Sequence, residues 1–226
     1  MKRNIFIQHL KDCIELQNEM NCVVSPNWQA NNWNFLLAAK QEASEAIDHF
    51  GWKWWKKQEP NIPQCKLELV DILHFLLSDM MVQCDYNTTS DDYEINIALE
   101  TTYNHYTFTR HLTFIESMES LMAVVESEYL DDDIRHQNSY PFLYFFTACD
   151  AINFDMEELF RMYKAKNILN IFRQHNGYKE GTYIKTWDGM EDNDYLLSVY
   201  EELNGNKADL IKALEIKYLQ VVNNSK

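Results

Sequence analysis

Glycine and proline are scarce in this sequence of 226 residues. It contains five glycines and four prolines, and four of the glycines follow residue 176. Sandwiches, barrels and repeat solenoids need more of both residues to make their turns, so these architectures are excluded. The glycine-rich phosphate motifs G-x-G-x-x-G and G-x-x-x-x-G-K-[ST] are also absent. A phosphate ligand would therefore have to be held by side chains and metal ions.

Basic residues are also few. The chain has 20 Lys and Arg against 35 Asp and Glu, for a formal net charge of −15. Because nucleic acids and anionic membranes attract proteins through Lys and Arg, we expect neither as a partner. No apolar run is long enough to span a bilayer. The five cysteines form no C-x-x-C pair and are odd in number, so we expect reduced thiols in a cytoplasmic protein.

The hydrophobic pattern predicts an all-α protein with a single domain over residues 1–226. Apolar residues recur at spacings of three and four over most of the chain, which is typical of amphipathic helices. The predicted helices are 3–23, 32–56, 64–85, 91–103, 109–130, 140–151, 155–174, 194–203 and 206–222. Residues 176–193 hold three of the five glycines beside several aromatic residues, so we expect a ligand-binding loop there.

Two acid pairs lie on otherwise apolar helices within residues 32–85. Glu42 and Glu45 are on the first helix, and Glu68 and Asp71 are on the second. A spacing of three puts both members of a pair on one helical face. Carboxylates among apolar neighbours must be protonated, paired with cations or bound to metal. Antiparallel packing would bring all four together in a helical bundle, where their oxygens suit Mg²⁺. The alternative is that acid pairs arise by chance in so acidic a chain.

The segment 155–193 concentrates positive charge on a predicted helix and the loop after it. Lys166, Asn170 and Arg173 fall on one stripe of the helix, and residues 161–185 hold six of the 20 basic side chains against one acid. This concentration indicates a local anion site. An amide between two cations can also read the donor and acceptor edge of a base. The alternative is that these cations only neutralise an acidic surface or the end of the helix dipole.

Three sequence blocks carry a family resemblance. They are E-A-S-E-A-I-D-H-F-G-W-K-W-W-K at 42–56, L-E-L-V-D-I-L-H-F at 67–75, and K-N-I-L-N-I-F-R-Q-H-N-G-Y-K-E-G-T-Y-I-K-T-W-D-G-M-E-D-N at 166–193. Together they resemble the motifs of the dimeric dUTPases, which are all-α nucleoside triphosphate pyrophosphatases. The resemblance implies a helical bundle with a central pair of carboxylate-bearing helices. Residues 88–150 match only in being helical, and their role is not assigned.

The resemblance implies Mg²⁺-dependent hydrolysis of dUTP, and also of dUDP, by a homodimer with more than one metal ion per site. Such an activity limits uracil incorporation into DNA. The residues that match metal ligands of the family are Glu42, Glu45, Glu68 and Asp71, with Glu45 also orienting the attacking water. Those that match phosphate-binding positions are Lys166, Arg173, Tyr178 and Lys185. Those that match positions near the base are Asn170, Gln17 and Trp54.

Two other hypotheses stay open on the sequence. The first keeps the enzyme class but changes the substrate to dCTP with dUTP, or to a broader set of triphosphates. The Asn170 amide does not decide between uracil and cytosine, because an amide can present either edge by flipping. The second hypothesis is a helical interaction protein without enzymatic activity, whose acid pairs bind no metal and whose basic stripe docks an acidic partner.

Overall fold

The computed structural model describes residues 1–86, 93–108, 110–130, 140–200, 202–203 and 206–224. Within these ranges it contains nine α-helices and one small sheet, which confirms the predicted all-α class. The helices are α1 (Arg3–Val24), α2 (Phe35–Phe50), α3 (Ile62–Gln83), α4 (Tyr93–Thr107), α5 (Phe114–Leu130), α6 (Tyr140–Ala151), α7 (Met156–His175), α8 (Asp192–Tyr200) and α9 (Lys207–Asn224). The parts of predicted helices at 91–92, 109 and 201 lie outside the described residues.

The largest difference between the predicted and the observed helices is at the end of α2, while α4 ends four residues later and α5 begins five residues later than predicted. Helix α2 ends at Phe50, whereas the sequence predicted it to continue to residue 56. The backbone N–H of Gly51 donates to the Asp48 carbonyl three residues back, so the regular four-residue ladder stops there. The tryptophan-rich segment therefore follows the helix and is not part of it. In the described ranges, no helix combines the length and apolar character that crossing a bilayer requires.

The chain forms two compact units. The first consists of 1–15 and 29–160, and the second of 16–28 and 161–226. Two of the three boundaries fall within α1 and α7, and the third lies between residues 28 and 29. The prediction that residues 1–226 form a single domain stays a prediction.

The first unit is built around α3. Helix α2 packs against α3, while α5 packs against both α2 and α6. The core side chains of α3, such as Leu69 and Ile72, are fully buried, and burying one such side chain stabilises the fold by roughly 1.5–3 kcal/mol. Small side chains of α2, Ala39 and Ala43 among them, are fully buried as well and allow close approach to α3. Polar residues that α3 carries are consequently held in or beside this core.

The second unit contains the one sheet of the described residues, which the sequence analysis did not predict. Strand β1 (Thr186–Trp187) pairs antiparallel with β2 (Met190–Glu191). The strands are joined by Asp188-Gly189, a pair typical of tight hairpin turns. Trp187 is fully buried in an apolar cluster contributed by α7, α8 and α9, and its indole N–H donates to the Ile184 carbonyl at 2.8 Å. This tryptophan anchors the loop after α7 to the core.

Candidate functional site

Three carboxylates of α2 and α3 converge in the first unit. One oxygen atom each of Glu42, Glu68 and Asp71 lie within 4.8 Å of one another. Glu68 is buried, with 7% of its surface exposed, while Glu42 and Asp71 are partly buried. The packing of α2 against α3 positions all three. The structure therefore brings together three of the four acids that the sequence singled out.

The fourth acid, Glu45, is exposed and lies outside this three-carboxylate group. The reason is the orientation of α2, whose buried stripe includes the small alanines Ala43 and Ala46. Glu42 borders that stripe, whereas Glu45 is farther around the helix. Its assignment as a metal ligand and as the residue that orients water stays a prediction.

Two histidines stand next to the carboxylate group. Nε2 of His49 is 3.4 Å from Oε1 of Glu68, and Nδ1 of His74 is 3.8 Å from Oδ1 of Asp71. Nδ1 of His74 also lies 2.7 Å from the Val70 carbonyl oxygen. Because a carbonyl oxygen only accepts, Nδ1 of His74 carries the proton. These imidazoles border the carboxylates as polar neighbours on α2 and α3.

The chemistry of the carboxylate group fits a hard divalent cation. Its three acids supply only oxygen atoms, the ligands that Mg²⁺ prefers, and two of them are partly open to water that could complete the coordination. Three carboxylates at this separation repel one another unless a cation offsets their charge. Glu42, Glu68 and Asp71 are thus the residues that could hold Mg²⁺.

A buried ion-pair network occupies the basic stripe of α7 in the second unit. We name it the Arg173 cluster, and it consists of Lys166, Asn170, Arg173, Tyr183, Asp192 and Asn193. Nε and Nη2 of Arg173 donate to the two carboxylate oxygens of Asp192 at 2.8 and 2.7 Å. Nη1 donates to Asn170 at 3.0 Å. Asn193 accepts from both Nη2 of Arg173 and Nζ of Lys166 at 3.0 Å, so it links the two cations.

Asp192 is fully buried within this cluster. Burial by itself would raise the pKa of its carboxyl, but the hydrogen bonds and charge of Arg173 and the hydrogen bond from Tyr183 outweigh burial and lower it. The Tyr183 hydroxyl donates to Asp192 at 2.7 Å, and burial together with the adjacent carboxylate raises the pKa of this tyrosine. Asp192 therefore stays ionised and holds the Arg173 guanidinium in a fixed orientation.

The two other predicted phosphate-binding residues lie near the Arg173 cluster along the loop. The ring of the exposed Tyr178 is 5.8 Å from the Arg173 guanidinium carbon. Nζ of Lys185 is exposed and pairs with Glu191 at 3.0 Å. Burial lowers the pKa of Lys185, but the hydrogen bond and charge of Glu191 outweigh burial and raise it. The backbone N–H of Asp192 donates to the Lys185 carbonyl at 3.0 Å, which ties the loop to the cluster.

The predicted base-binding residues have very different surroundings. Gln17 is buried in the second unit, where its Oε1 accepts from the Tyr163 hydroxyl at 2.9 Å and its Nε2 donates to Asn21 at 3.0 Å. Trp54 belongs to the first unit, is 88% exposed and packs edge-on against Trp55. Asn170 is part of the Arg173 cluster. The three assignments to the base stay predictions.

Sequence reasoning gave no role to three members of the Arg173 cluster, namely Tyr183, Asp192 and Asn193. Tyr183 lies in the loop after α7, whereas Asp192 and Asn193 are the first residues of α8, directly after the hairpin. Their contacts with α7 depend on the hairpin bringing them back to that helix. The available signal was the Asp-Gly pair at 188–189, which marks the hairpin turn. Had the hairpin been predicted, Asp192 and Asn193 would have been placed opposite the basic stripe of α7.

A sequence model of a protein family described as dUTPase matches residues 9–178 of the chain. The match spans about three quarters of the chain and contains the three converging carboxylates together with Lys166, Asn170 and Arg173. No protein with a curated description matches the sequence.

Proposed function

The chain belongs to the all-α dimeric dUTPase family, and from this premise we propose that it hydrolyses dUTP to dUMP and pyrophosphate in a Mg²⁺-dependent reaction. The observation that carries the proposal is the convergence of Glu42, Glu68 and Asp71 in a chain of this family. We also propose that it converts dUDP to dUMP and phosphate. The family match favours an enzyme over a helical interaction protein.

Each group of residues has its own task in this proposal. Glu42, Glu68 and Asp71 hold Mg²⁺, which when bound supplies Lewis acidity that polarises phosphoryl oxygens and makes water a better nucleophile. Glu45 orients the attacking water and accepts its proton. The residues that hold the phosphate chain are Lys166, Arg173, Tyr178 and Lys185. Those that contact the base are Asn170, Gln17 and Trp54. Phosphoryl transfer needs this kind of positioning and charge stabilisation more than covalent chemistry.

The proposal also covers the oligomeric state, the ligands and the cellular location of the protein. We propose a cytoplasmic homodimer whose substrate is a small nucleotide, with more than one Mg²⁺ per site. The formal charge of −15 disfavours nucleic acid as a partner. Removal of dUTP by such an enzyme limits uracil incorporation into DNA.

The test is product analysis with a nucleotide panel. Chromatography would separate the products of dUTP, dUDP, dCTP, dTTP and UTP after incubation with Mg²⁺ or with a chelator. We expect dUMP and pyrophosphate from dUTP in the presence of Mg²⁺ only. Well-folded protein that hydrolyses none of these nucleotides would overturn the proposal.

The role of Glu45 is tested in the same assay. Because a positioned general base contributes roughly 10²-fold or more to rate, we expect Glu45→Gln to lower kcat for dUTP by about that factor with little change in KM. The matched control is Asp48→Asn, which changes an exposed acid of the same helix that pairs with Lys53. Equal kcat values for the two variants would remove Glu45 from the mechanism.

A further inference from the structure

His49 lies on the same side of α2 as Glu42. It follows Glu42 by seven residues, which is two turns of a helix, so both side chains belong to one stripe. Nε2 of His49 is 3.4 Å from Oε1 of Glu68 on α3, slightly longer than an ordinary hydrogen bond. A carboxylate only accepts, so the nitrogen that faces it carries a proton. The imidazole therefore reaches the carboxylate group from α2.

The backbone of His49 is fixed relative to the helix that carries Glu68. The His49 carbonyl accepts from the backbone N–H of Asn61 at 2.9 Å, and Asn61 caps the start of α3. Three residues earlier in α2, the Ala46 carbonyl accepts from the Cys65 thiol at 3.6 Å. These two contacts tie the end of α2 to the beginning of α3. The position of the imidazole beside Glu68 is consequently set by the packing of the two helices.

His49 is a neighbour of the carboxylate group and not one of its members. Among the described residues, Glu42, Glu68 and Asp71 form the one group of possible metal ligands whose atoms lie within 4.8 Å of one another. Mg²⁺ also prefers oxygen to imidazole nitrogen. Outer-shell partners that hold a ligating carboxylate are worth about 10–100-fold in metal affinity or activity. The contact of His49 with Glu68 is of this kind.

The second histidine beside the group has a different arrangement. His74 is buried, and its Nδ1 is 2.7 Å from the carbonyl oxygen of Val70 on its own helix but 3.8 Å from Oδ1 of Asp71. The Nδ1 proton of His74 is therefore directed at the backbone. His49 is the imidazole that reaches from α2 to a carboxylate of α3.

We propose that His49 is a positioning residue for the metal, which holds the Glu68 carboxylate in the orientation that a divalent cation needs. The proposal rests on the Mg²⁺-dependent function proposed above. A carboxylate can rotate about its last bond, and a contact with one oxygen atom limits that rotation. Less conformational entropy is then lost when the metal binds. His49 acts through Glu68 and is not itself a metal ligand.

The test is the affinity of the protein for Mn²⁺ in the absence of nucleotide. Mn²⁺ shares the preference of Mg²⁺ for oxygen ligands, and the electron paramagnetic resonance signal of free Mn²⁺ measures how much remains unbound. We expect His49→Leu, which removes the donor, to weaken binding by about tenfold or more. His49→Gln should stay within about threefold of the wild type, because the glutamine amide puts an N–H donor near the position of Nε2.

The matched control is His111→Leu, which makes the same replacement at an exposed histidine of the first unit. We expect it to keep the wild-type affinity for Mn²⁺. Glu68→Gln is the reference for the loss of a carboxylate and should weaken binding more than His49→Leu does. Melting curves without metal check that each variant is folded, and competition with Mg²⁺ checks that the two ions share one site.

The outcomes distinguish the proposal from the function on which it rests. Unchanged Mn²⁺ affinity in folded His49→Leu overturns the role of His49 and leaves the metal site standing. Tighter binding in that variant also overturns it, because the imidazole would then compete with the metal as a cation. Equal weakening in His49→Gln and His49→Leu overturns the donor as the cause. A wild type that binds no Mn²⁺ overturns the carboxylate group as a metal site and the role of His49 with it, whereas dUTP hydrolysis is tested separately by product analysis.

Discussion

Asp192 and Arg173 illustrate at the scale of single residues how a charge is kept inside the second unit. Taking a carboxylate out of water is costly unless a cation and hydrogen bonds replace the lost hydration. Asp192 receives two hydrogen bonds from Arg173 and one from Tyr183, and its pKa is lowered in spite of burial. The pair is therefore a source of pH-dependent stability.

The change Asp192→Asn is expected to destabilise the protein by about 3 kcal/mol at pH 7, because it leaves a buried guanidinium without its counter-charge. The folded pKa of Asp192 lies below its ordinary value of about 3.9. Its stabilising contribution is thus complete above that value and is lost as the pH falls through the folded pKa. Urea unfolding between pH 3 and pH 7 measures the difference between wild type and variant.

The control for this prediction is Asp209→Asn, which changes an exposed aspartate of α9. We expect it to alter the free energy of unfolding by less than about 0.5 kcal/mol at every pH tested. A difference between wild type and Asp192→Asn that stays constant down to pH 3 would contradict the assigned linkage.

The sequence predicted some of these residues and not others for physical reasons. The acids of α3 were conspicuous because charged side chains interrupt an apolar helix, and local spacing placed Glu68 and Asp71 on one face. Spacing alone did not reveal that the alanine stripe of α2 leaves Glu45 exposed. Asp192 was overlooked because its partner Arg173 is distant along the chain and is reached only through the hairpin.

At the scale of elements, the backbone conformation of the turn after α7 sets the direction in which the chain leaves this helix. Gly177 has φ of +88° and Gly181 has φ of +70°, conformations that other residues adopt at a cost. A Cβ at Gly177 would come within 2.1 Å of Oγ1 of Thr182, whereas a Cβ at Gly181 would meet nothing within 4 Å. The two positions share the backbone conformation and differ in crowding.

The change Gly181→Ala is expected to destabilise the protein by roughly 1–2 kcal/mol, the cost of a left-handed conformation. Gly177→Ala should cost about 1 kcal/mol more, because the Thr182 hydroxyl must rotate away and lose its hydrogen bond to the Gly177 carbonyl. Denaturant unfolding of both variants measures the difference. In a Thr182→Ala background the extra cost should vanish, and its persistence there would disprove the steric explanation.

The helices were easier to predict from the sequence than the segments that connect them. Long apolar periodicity located both ends of α1, α3 and α7 to within two residues. The end of α2 and the hairpin at 186–191 depend on a few local hydrogen bonds, which periodicity does not record. Strands of two residues are too short to show any alternation.

At the scale of the whole molecule, the five cysteines report on packing. All are thiols, of which Cys13, Cys65 and Cys149 are buried and Cys22 and Cys84 are partly exposed. Burial raises the pKa of Cys65 to about 12 and also raises the pKa of Cys149. Since the thiolate is the reactive form, buried thiols should react slowly.

We expect a chromogenic disulfide reagent at pH 8 to modify two thiols quickly in the native protein and all five after unfolding in urea. Mass spectrometry of the labelled peptides should identify the fast sites as Cys22 and Cys84. Rapid native labelling of Cys13 or Cys149 would contradict the packing described for the core.

The fold class and family of the whole chain were the most predictable features. The low glycine and proline content excluded β architectures, and three sequence blocks matched one family, which the family match over residues 9–178 confirms. Substrate choice and metal dependence were less predictable, because they depend on which oxygen or nitrogen atoms face a ligand. The contact between His49 and Glu68 is such a case.

The most direct test of the account is the initial rate of dUTP hydrolysis as a function of Mg²⁺ concentration. It should be measured for the wild type, for Glu68→Gln in the carboxylate group and for Asp48→Asn outside it. We expect a saturable requirement for Mg²⁺ in the wild type and Asp48→Asn, and no hydrolysis at any Mg²⁺ concentration in folded Glu68→Gln. A wild-type rate that persists in a chelator, or an unchanged Mg²⁺ dependence in Glu68→Gln, would contradict this expectation.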